Sequence, residues 1–455
     1  MARPDLPLLT PAPDPGGQGE WSPGEEGVRH GVAFSTVGCR LNQAETEEAL
    51  DALVSAGLRL QRSAADLVVV NTCAVTREST ATSRKLVRRA VDANPDAFVV
   101  VTGCYATAEP DAVAAIDGVD LVVGNPDKER LAELVFAAEP AFAPTPAEQL
   151  VGADADDATR RLHSRVSIRT QTGCDEHCAF CIIPTTRGPL RSRPADAIVA
   201  DIARRVDDGV REAVLTGVHL GKYGVDAGRG EGLAWLVTEI LDRVSRLERL
   251  RLSSVLPVQV TDTLVDLMAA DPRICPHLHV PLQSGSDRVL AAMGRSYDVA
   301  TFLERVGYAQ ERLPLLGLST DLIVGFPGET EDDHAATRDV LATVGFSKLH
   351  VFRYSARPGT RSAATMRDDV PSQVKKARSK DLVALGDELR DRFHAQLLGA
   401  TVDVLVETDR GDGWLHGTAD NYVKVSLRAP ASLVEHRVPV RLTGLRGAGM
   451  TGDPA

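Results

Sequence analysis

Cys174, Cys178 and Cys181 stand in the stretch Gln171-Thr-Gly-Cys-Asp-Glu-His-Cys-Ala-Phe-Cys-Ile-Ile-Pro184. Three thiols in a C-x3-C-x2-C spacing can converge on one iron–sulfur cube when a tight loop wraps it, and three ligands leave one of four irons without a protein partner. That iron is free to bind a further molecule. The same thiols would also suit zinc, with His177 or His163 as fourth ligand in a closed structural site. Zinc sites, however, more often use two separated Cys-x2-Cys knuckles. A disulfide framework fits poorly with a long chain of seven cysteines. The first residues lack a basic start and an apolar core, so the thiols are expected in reducing cytosol, and the chain is expected to be cytoplasmic.

Three further cysteines recur at the interval of a strand–helix–strand unit. Val32 to Val37 reads as a strand ending at Gly38-Cys39, and Asn42 to Leu58 as a helix. Leu67 to Val70 runs into Asn71-Thr-Cys73, a basic helix follows through Arg84, Lys85, Arg88 and Arg89, and Phe98 to Thr102 ends at Gly103-Cys104. A fourth strand, Val119 to Val123, precedes a helix near Lys128 to Ala138. The cysteines are 34 and 31 residues apart, close to the length of one strand–helix–strand unit. Each therefore follows the carboxyl end of a successive parallel strand, along the edge where open α/β sheets bind ligands. Cys39, Cys73 and Cys104 should meet in space as a second metal-binding set. Buried, inert cysteines inside strands are the alternative.

At 455 residues the chain suggests roughly three domains. No apolar run reaches the roughly 18 residues of a membrane span, so no membrane segment is expected. A net charge of −12 argues against a general nucleic-acid binder, since that affinity comes from neutralising phosphates. A local basic face stays compatible with it. The expected layout is a disordered tail over 1–28, a parallel α/β domain over 29–140, a linker over 141–159, a second α/β domain over 160–396, a small β-barrel over 397–447 and a tail over 448–455.

The second α/β domain repeats strand and helix. Strands are read at Val166–Arg169, Ala213–Gly217, Leu250–Ser254, His277–Leu282, Leu318–Gly325 and Lys348–Arg353. Six repeats suggest a parallel (β/α)6 barrel, not fully closed, with active groups at the carboxyl ends of the strands. Thr216, Gly217, Ser253, Ser254, Gln283, Asp321 and Gly325 fall on these strands or just past their ends, and are expected to meet a nucleoside-containing cofactor. Arg160, Arg161, Arg165 and Arg169 lead into the Cys174 loop and Arg187, Arg191 and Arg193 follow it; they suit either a phosphate backbone or solvent. Cys275 reads as packing. From Thr401 the chain alternates with period two, and short strands separated by turns suggest a small antiparallel barrel of a kind that often binds oligonucleotides.

Taken together these stretches resemble the methylthiotransferases, radical S-adenosylmethionine (AdoMet) enzymes with an amino-terminal three-cysteine domain, a radical barrel and a carboxyl-terminal TRAM domain. The resemblance rests on Gly38-Cys-Arg-Leu-Asn-Gln-Ala-Glu-Thr-Glu47, Asn71-Thr-Cys-Ala-Val-Thr76, the Cys174 loop, Leu278-His-Val-Pro-Leu-Gln-Ser-Gly-Ser-Asp287, Asp321-Leu-Ile-Val-Gly-Phe-Pro-Gly-Glu-Thr330 and Gly417-Thr-Ala-Asp-Asn-Tyr422. It implies two [4Fe-4S] clusters, one on Cys39, Cys73 and Cys104 and one on Cys174, Cys178 and Cys181. It implies AdoMet on the free iron of the second, cleaved to a 5'-deoxyadenosyl radical, and sulfur delivered through the first. Catalysis then needs no residue beyond the cluster ligands.

Three substrates compete within the family. Members acting on ribosomal protein S12 typically read Gly-Cys-Pro-Lys-Asn, and those acting on isopentenyladenosine typically read Asn-Thr-Cys-Ser. Here Gly-Cys-Arg-Leu-Asn, Asn-Thr-Cys-Ala-Val-Thr and Leu215-Thr-Gly-Val-His-Leu-Gly-Lys-Tyr-Gly224 look like the branch that modifies N6-threonylcarbamoyladenosine at tRNA position 37. Thr185-Thr186 departs from the Tyr-Ala of that branch. The implied partners are tRNA and a flavodoxin- or ferredoxin-type electron donor, with the chain a monomer; a zinc-stabilised RNA-binding protein without catalysis is the distant alternative. Since no cysteine lies beyond Cys275, removing the segment after Leu398 is expected to weaken tRNA binding and spare both clusters.

Overall fold

The computed structural model describes residues 30–61, 64–144 and 164–455. The expected tail 1–28, most of the linker, Arg160, Arg161 and His163 lie outside them. The described residues form two compact units, one of the residues up to 144 together with Ile182–Gly188, the other of the remainder.

The first unit is a five-stranded parallel sheet of β1 (Gly31–Thr36), β2 (Arg59–Leu60), β3 (Leu67–Thr72), β4 (Phe98–Gly103) and β5 (Leu121–Val123), in the order β2-β1-β3-β4-β5. Every residue of β3 is buried, as befits a central strand covered on both faces. Helices α1 (Arg40–Ser55) and α2 (Arg77–Ala93) are the longest packed on the sheet, the second opened by a Thr76/Ser79 capping box. The four expected strands are present. The two-residue edge strand β2 is too short to show alternation in sequence. Residues 141–144 are not linker: Pro140–Phe142 forms a 3-10 turn, and Phe142 packs edge-on against His30 and Phe98.

In the second unit β6 (Arg165–Thr172), β7 (Arg191–Ser192), β8 (Glu212–Gly217) and β9 (Arg249–Leu252) form one sheet in the order β7-β6-β8-β9, and β10 (His277–His279), β11 (Gly317–Val324) and β12 (Lys348–Arg353) another. Parallel bridges at Leu250–Ile274 and Ser254–His279 join β9 to β10. The result is the expected open barrel of six parallel strands, with the short antiparallel β7 added on its edge. A large apolar core fills it, with Ile168, Leu215, Leu252, Leu278 and Leu322 almost wholly buried.

After the 26-residue helix Ser372–Leu397, β13 (Thr401–Asp409), β14 (Leu415–Ala419), β15 (Lys424–Leu427), β16 (Arg437–Arg446) and β17 (Gly449–Pro454) close into a barrel in the order β13-β14-β15-β17-β16. Residues 448–455 are therefore not a tail. β17 pairs antiparallel with β16 and parallel with β15, so closure depends on it. Its sequence, Gly-Met-Thr-Gly-Asp-Pro, lacks the alternation that marks the other strands.

The barrel is fixed to the amino-terminal ends of the second unit's parallel strands. Arg249 and Arg251, both 1% exposed, share Glu212, which is fully buried, at 2.8 and 2.7 Å. Other donors of the pair reach carbonyls of the Gly417–Tyr422 stretch: Arg251 gives bonds to Asp420 O and Ala419 O, and Arg249 to Thr418 O. Tyr422 stacks on His277 with ring centroids 4.4 Å apart. At Gly317 a Cβ would lie 1.9 Å from Asn421 O, so only glycine permits this approach. Cys275 is buried here, packed and in electrostatic contact with Arg251, Glu212 and Arg249.

Candidate metal centres

Cys39, Cys73 and Cys104 follow β1, β3 and β4, and all three thiols are free. Cys39 is the N-cap of α1, where burial pushes its thiol up against the opposing pull of the Arg187 charge. Cys73 is pinned through its backbone: its N–H donates to Ser83 Oγ at 3.0 Å, and the same hydroxyl donates to Cys73 O at 2.8 Å. Burial pushes the Cys73 thiol up to about 11, and the neighbouring Cys39 and Cys104 thiols act in the same direction. Iron would remove their protons, since thiolates are the ligands.

Motif residues build the turn that gathers them. Asn42 donates to Val37 O at 2.9 Å and Thr72 O at 3.0 Å, tying the ends of β1 and β3 together. Asn71 donates to Asn42 O at 2.8 Å and Thr46 Oγ1 at 3.0 Å. Gly38 and Gly103 have positive φ, and a Cβ on Gly38 would sit 2.8 Å from Cys73 Cβ. Glu45 lies in the same α1 motif. Burial alone would raise its carboxyl, and Lys128 and Arg187 outweigh that and hold it at about 2.

Arg187 is neither a phosphate ligand on the surface nor solvated. It is 7% exposed, and it donates to Glu45 Oε1 at 2.5 Å and to Asn42 Oδ1 at 2.6 Å. Within Ile182–Gly188, Thr186 O accepts from Asn125, whose amide also approaches Cys104 Sγ at 3.5 Å. The Thr185-Thr186 departure leaves Thr185 exposed, and buries Thr186 with its hydroxyl bonded to Ile182 O.

In the second unit the Cys174 loop leaves the carboxyl end of β6. Gln171 anchors it, donating to Gly173 O at 2.6 Å and accepting from the His219 N–H at 2.9 Å. Ala179 N bonds Met293 O at 2.7 Å, and Ser362 N bonds Ala179 O at 2.8 Å. Arg295 donates to Cys178 Sγ at 3.1 Å. Burial pushes Cys174 up to about 11. Its sulfur lies 3.8 Å from His219 Nδ1, and with Asp175 these atoms form a tight group. The histidine beside the thiols is therefore His219, while His177 is exposed and meets Arg361 through its carbonyl.

The expected cofactor residues fall into three kinds. Ser253 Oγ and Gln283 Oε1 are buried with no hydrogen-bond partner among the described residues, as is Arg295 Nη2. Orphaned buried polar atoms at strand ends suit a ligand. Gln283 also holds a strained φ of +67°. Thr216 is buried with its carbonyl accepting from Thr170, Gly217 packs on Gln171, and Asp321 pairs with His279 at 3.3 Å. Ser254 carries the bridge to β10. Gly325 is explained by the fold: its N–H bonds Glu329 Oε2 at 2.8 Å, and a Cβ there would strike Lys375. Sequence reasoning did not find Asn42, Glu45, Lys128, His219 and Arg295 as site residues, because nothing about a polar residue on a helix or loop reveals which thiol it will face.

Residues 31–124 match the model of the uncharacterized protein family UPF0004, and residues 168–341 match the radical SAM superfamily. The threonylcarbamoyladenosine tRNA methylthiotransferase MtaB of Bacillus subtilis is 36% identical over 422 residues, covering 90% of this chain and 93% of that protein. The chain belongs to the radical SAM methylthiotransferase family. A second methylthiotransferase named MtaB, from Thermotoga maritima, is 36% identical over 86% of this chain and 90% of its own length. The tRNA-2-methylthio-N(6)-dimethylallyladenosine synthase of Cereibacter sphaeroides is 35% identical over 92% and 97%. Among solved structures, the radical S-adenosylmethionine methyltransferase TsrM from Kitasatospora setae shares the fold, with a TM-score of 0.54 at 17% identity over 74% of this chain and 77% of that one. For this methylthiotransferase, family membership implies a [4Fe-4S] cluster and AdoMet, and the three-thiol loop with orphaned polar atoms on the adjoining strand ends fits both.

Proposed function

We propose that this chain adds a methylthio group to C2 of N6-threonylcarbamoyladenosine at position 37 of tRNA. The observation that carries the reading is the pair of three-thiol sets, one past β1, β3 and β4 and one past β6, in a chain 36% identical over most of its length to proteins named for that reaction. When bound, a cubic cluster with AdoMet on its open iron supplies one-electron C–S cleavage, chemistry no side chain can perform.

The chain's own residues position and shield. Cys174, Cys178 and Cys181 hold the radical cluster, with Arg295 neutralising charge at Cys178. Ser253 and Gln283 offer polar atoms to the nucleoside portion of AdoMet. Cys39, Cys73 and Cys104 would hold a second cluster, which would supply the sulfur-transfer chemistry. On the barrel, Trp414 carries the guanidiniums of Arg428 and Arg446 at 4.7 and 4.4 Å from its ring, a surface suited to RNA bases and phosphates. A flavodoxin- or ferredoxin-type protein supplies the electron, and the enzyme acts as a monomer. Among the described residues no helix is long and apolar enough to cross a membrane.

Nucleoside mass spectrometry of tRNA from a strain lacking this gene tests the substrate. The expected result is N6-threonylcarbamoyladenosine accumulating without its 2-methylthio derivative, restored by the intact gene. Loss of the methylthiolated dimethylallyl nucleoside instead would assign the chain to the substrate of its 35%-identical relative. The two-cluster reading has its own test. A Cys178→Ala protein purified without oxygen should keep about half its iron and lose AdoMet cleavage; disappearance of all iron would mean that there is one site.

A further inference from the structure

The first unit holds more positive charge beside its thiols than its own fold requires. Glu45, roughly one and a half turns from the Cys39 end of α1, is approached by two cations: Arg187 at 2.5 Å and Lys128 at 2.7 Å, each about as buried as the carboxylate. Lys128 has a second acceptor in Asn71 Oδ1 at 3.1 Å, and Arg187 a second in Asn42 Oδ1, both neutral. One carboxylate neutralises one cation. The uncompensated positive charge is taken out of water, which costs several kcal/mol unless an anion repays it. Arg187 lies within electrostatic range of the Cys39 and Cys104 sulfurs as well as of Glu45.

We propose that Arg187, backed by Lys128, is the buried counter-charge of the metal centre on Cys39, Cys73 and Cys104, and that it sets that centre's reduction potential. The inference rests on the reading that these thiols hold an iron–sulfur cube. Three thiolates around an oxidised cubic core with two positive charges leave one net negative charge, which matches the surplus cation. Reduction adds one electron and one more negative charge to the same volume, as does an anionic ligand on the open iron. A fixed neighbouring cation favours both in a low-dielectric site. Arg187 is a positioning residue: it touches Glu45 and Asn42, and acts on the cluster through its charge.

The test uses the full chain carrying Cys174→Ala, Cys178→Ala and Cys181→Ala, so that only the first unit can hold iron. Iron content and the midpoint potential, from a dithionite titration followed by electron paramagnetic resonance, are compared for Arg187, Arg187→Gln and Arg187→Lys. The expected result is a more negative potential for Arg187→Gln, with Arg187→Lys close to the unaltered value. Loss of iron from Arg187→Gln alone, with Arg187→Lys loaded at the unaltered potential, supports the same role. Full loading of Arg187→Gln at an unshifted potential overturns it. So does an equal loss of iron from both variants, which would make Arg187 a strut whose shape matters and whose charge does not. So too does a loaded Arg187→Lys with the potential of Arg187→Gln. If the starting protein binds no iron at all, it is the cluster reading that fails, and the inference falls with it.

Discussion

A Cys73→Ala enzyme is expected to cleave AdoMet to 5'-deoxyadenosine at the unaltered rate while forming no methylthiolated nucleoside. Cys73 is the central thiol of its set, immediately after β3, and its backbone is held from both sides by Ser83. Alanine therefore keeps the turn and removes one ligand of three. The Cys174 loop is built on Gln171, His219, Met293 and Ser362, all within the second unit. The measurement is deoxyadenosine release against nucleoside product in one reaction with tRNA. Normal product yield would refute sulfur delivery through the first unit, and loss of both activities would refute the division of labour.

Replacing Glu212 by glutamine is expected to cost about 3–5 kcal/mol, the usual penalty for removing one partner of a buried ion pair. Two guanidiniums at 1% exposure lose the carboxylate they share. The melting temperature should fall by on the order of 10 °C. Burial alone would raise the Glu212 carboxyl, but Arg251 and Arg249 hold it well below the usual range. A depressed folded-state value means stabilisation that is present above the unfolded carboxyl's value of about 4.3 and lost as pH falls below it. The two proteins should therefore converge in stability on acidification. A melting curve for Glu212→Gln that matches the unaltered one at neutral pH would show that the pair is dispensable. The same contacts change what truncation does. Cutting after Leu398 removes the carbonyls of Thr418, Ala419 and Asp420 from Arg249 and Arg251, so the radical unit is expected to lose stability along with tRNA affinity.

Much of this was legible in the sequence because two signals coincide: apolar runs that end abruptly, and a cysteine just past each end. Strand periodicity placed Cys73 and Cys104 directly after β3 and β4, and Cys174 after β6, where the structure has them. Charged groups were harder. Arg187 follows the radical loop in sequence and packs with the first unit, so proximity along the chain pointed to the wrong neighbours. Glu212, Arg249 and Arg251 open strands, where charge ordinarily means solvent; only the docked barrel makes their burial possible. β17 escaped notice because pairing with β15 and β16, and no pattern of its own, makes it a strand.

The barrel's docked turn also has a consequence for reach. Its contacts at Arg249, His277 and Gly317 fall on the first residues of β9, β10 and β11, whereas the thiol loop and the orphaned Ser253 and Gln283 lie past the opposite ends. The eight residues of β11 separate these levels by about 26 Å. An RNA held at the level of the docked barrel and presenting a base to the thiol loop has to bridge that height, roughly eight stacked nucleotides. The strand length thus acts as a ruler. A stem-loop can satisfy it, whereas a free nucleoside or a dinucleotide reaches one end only.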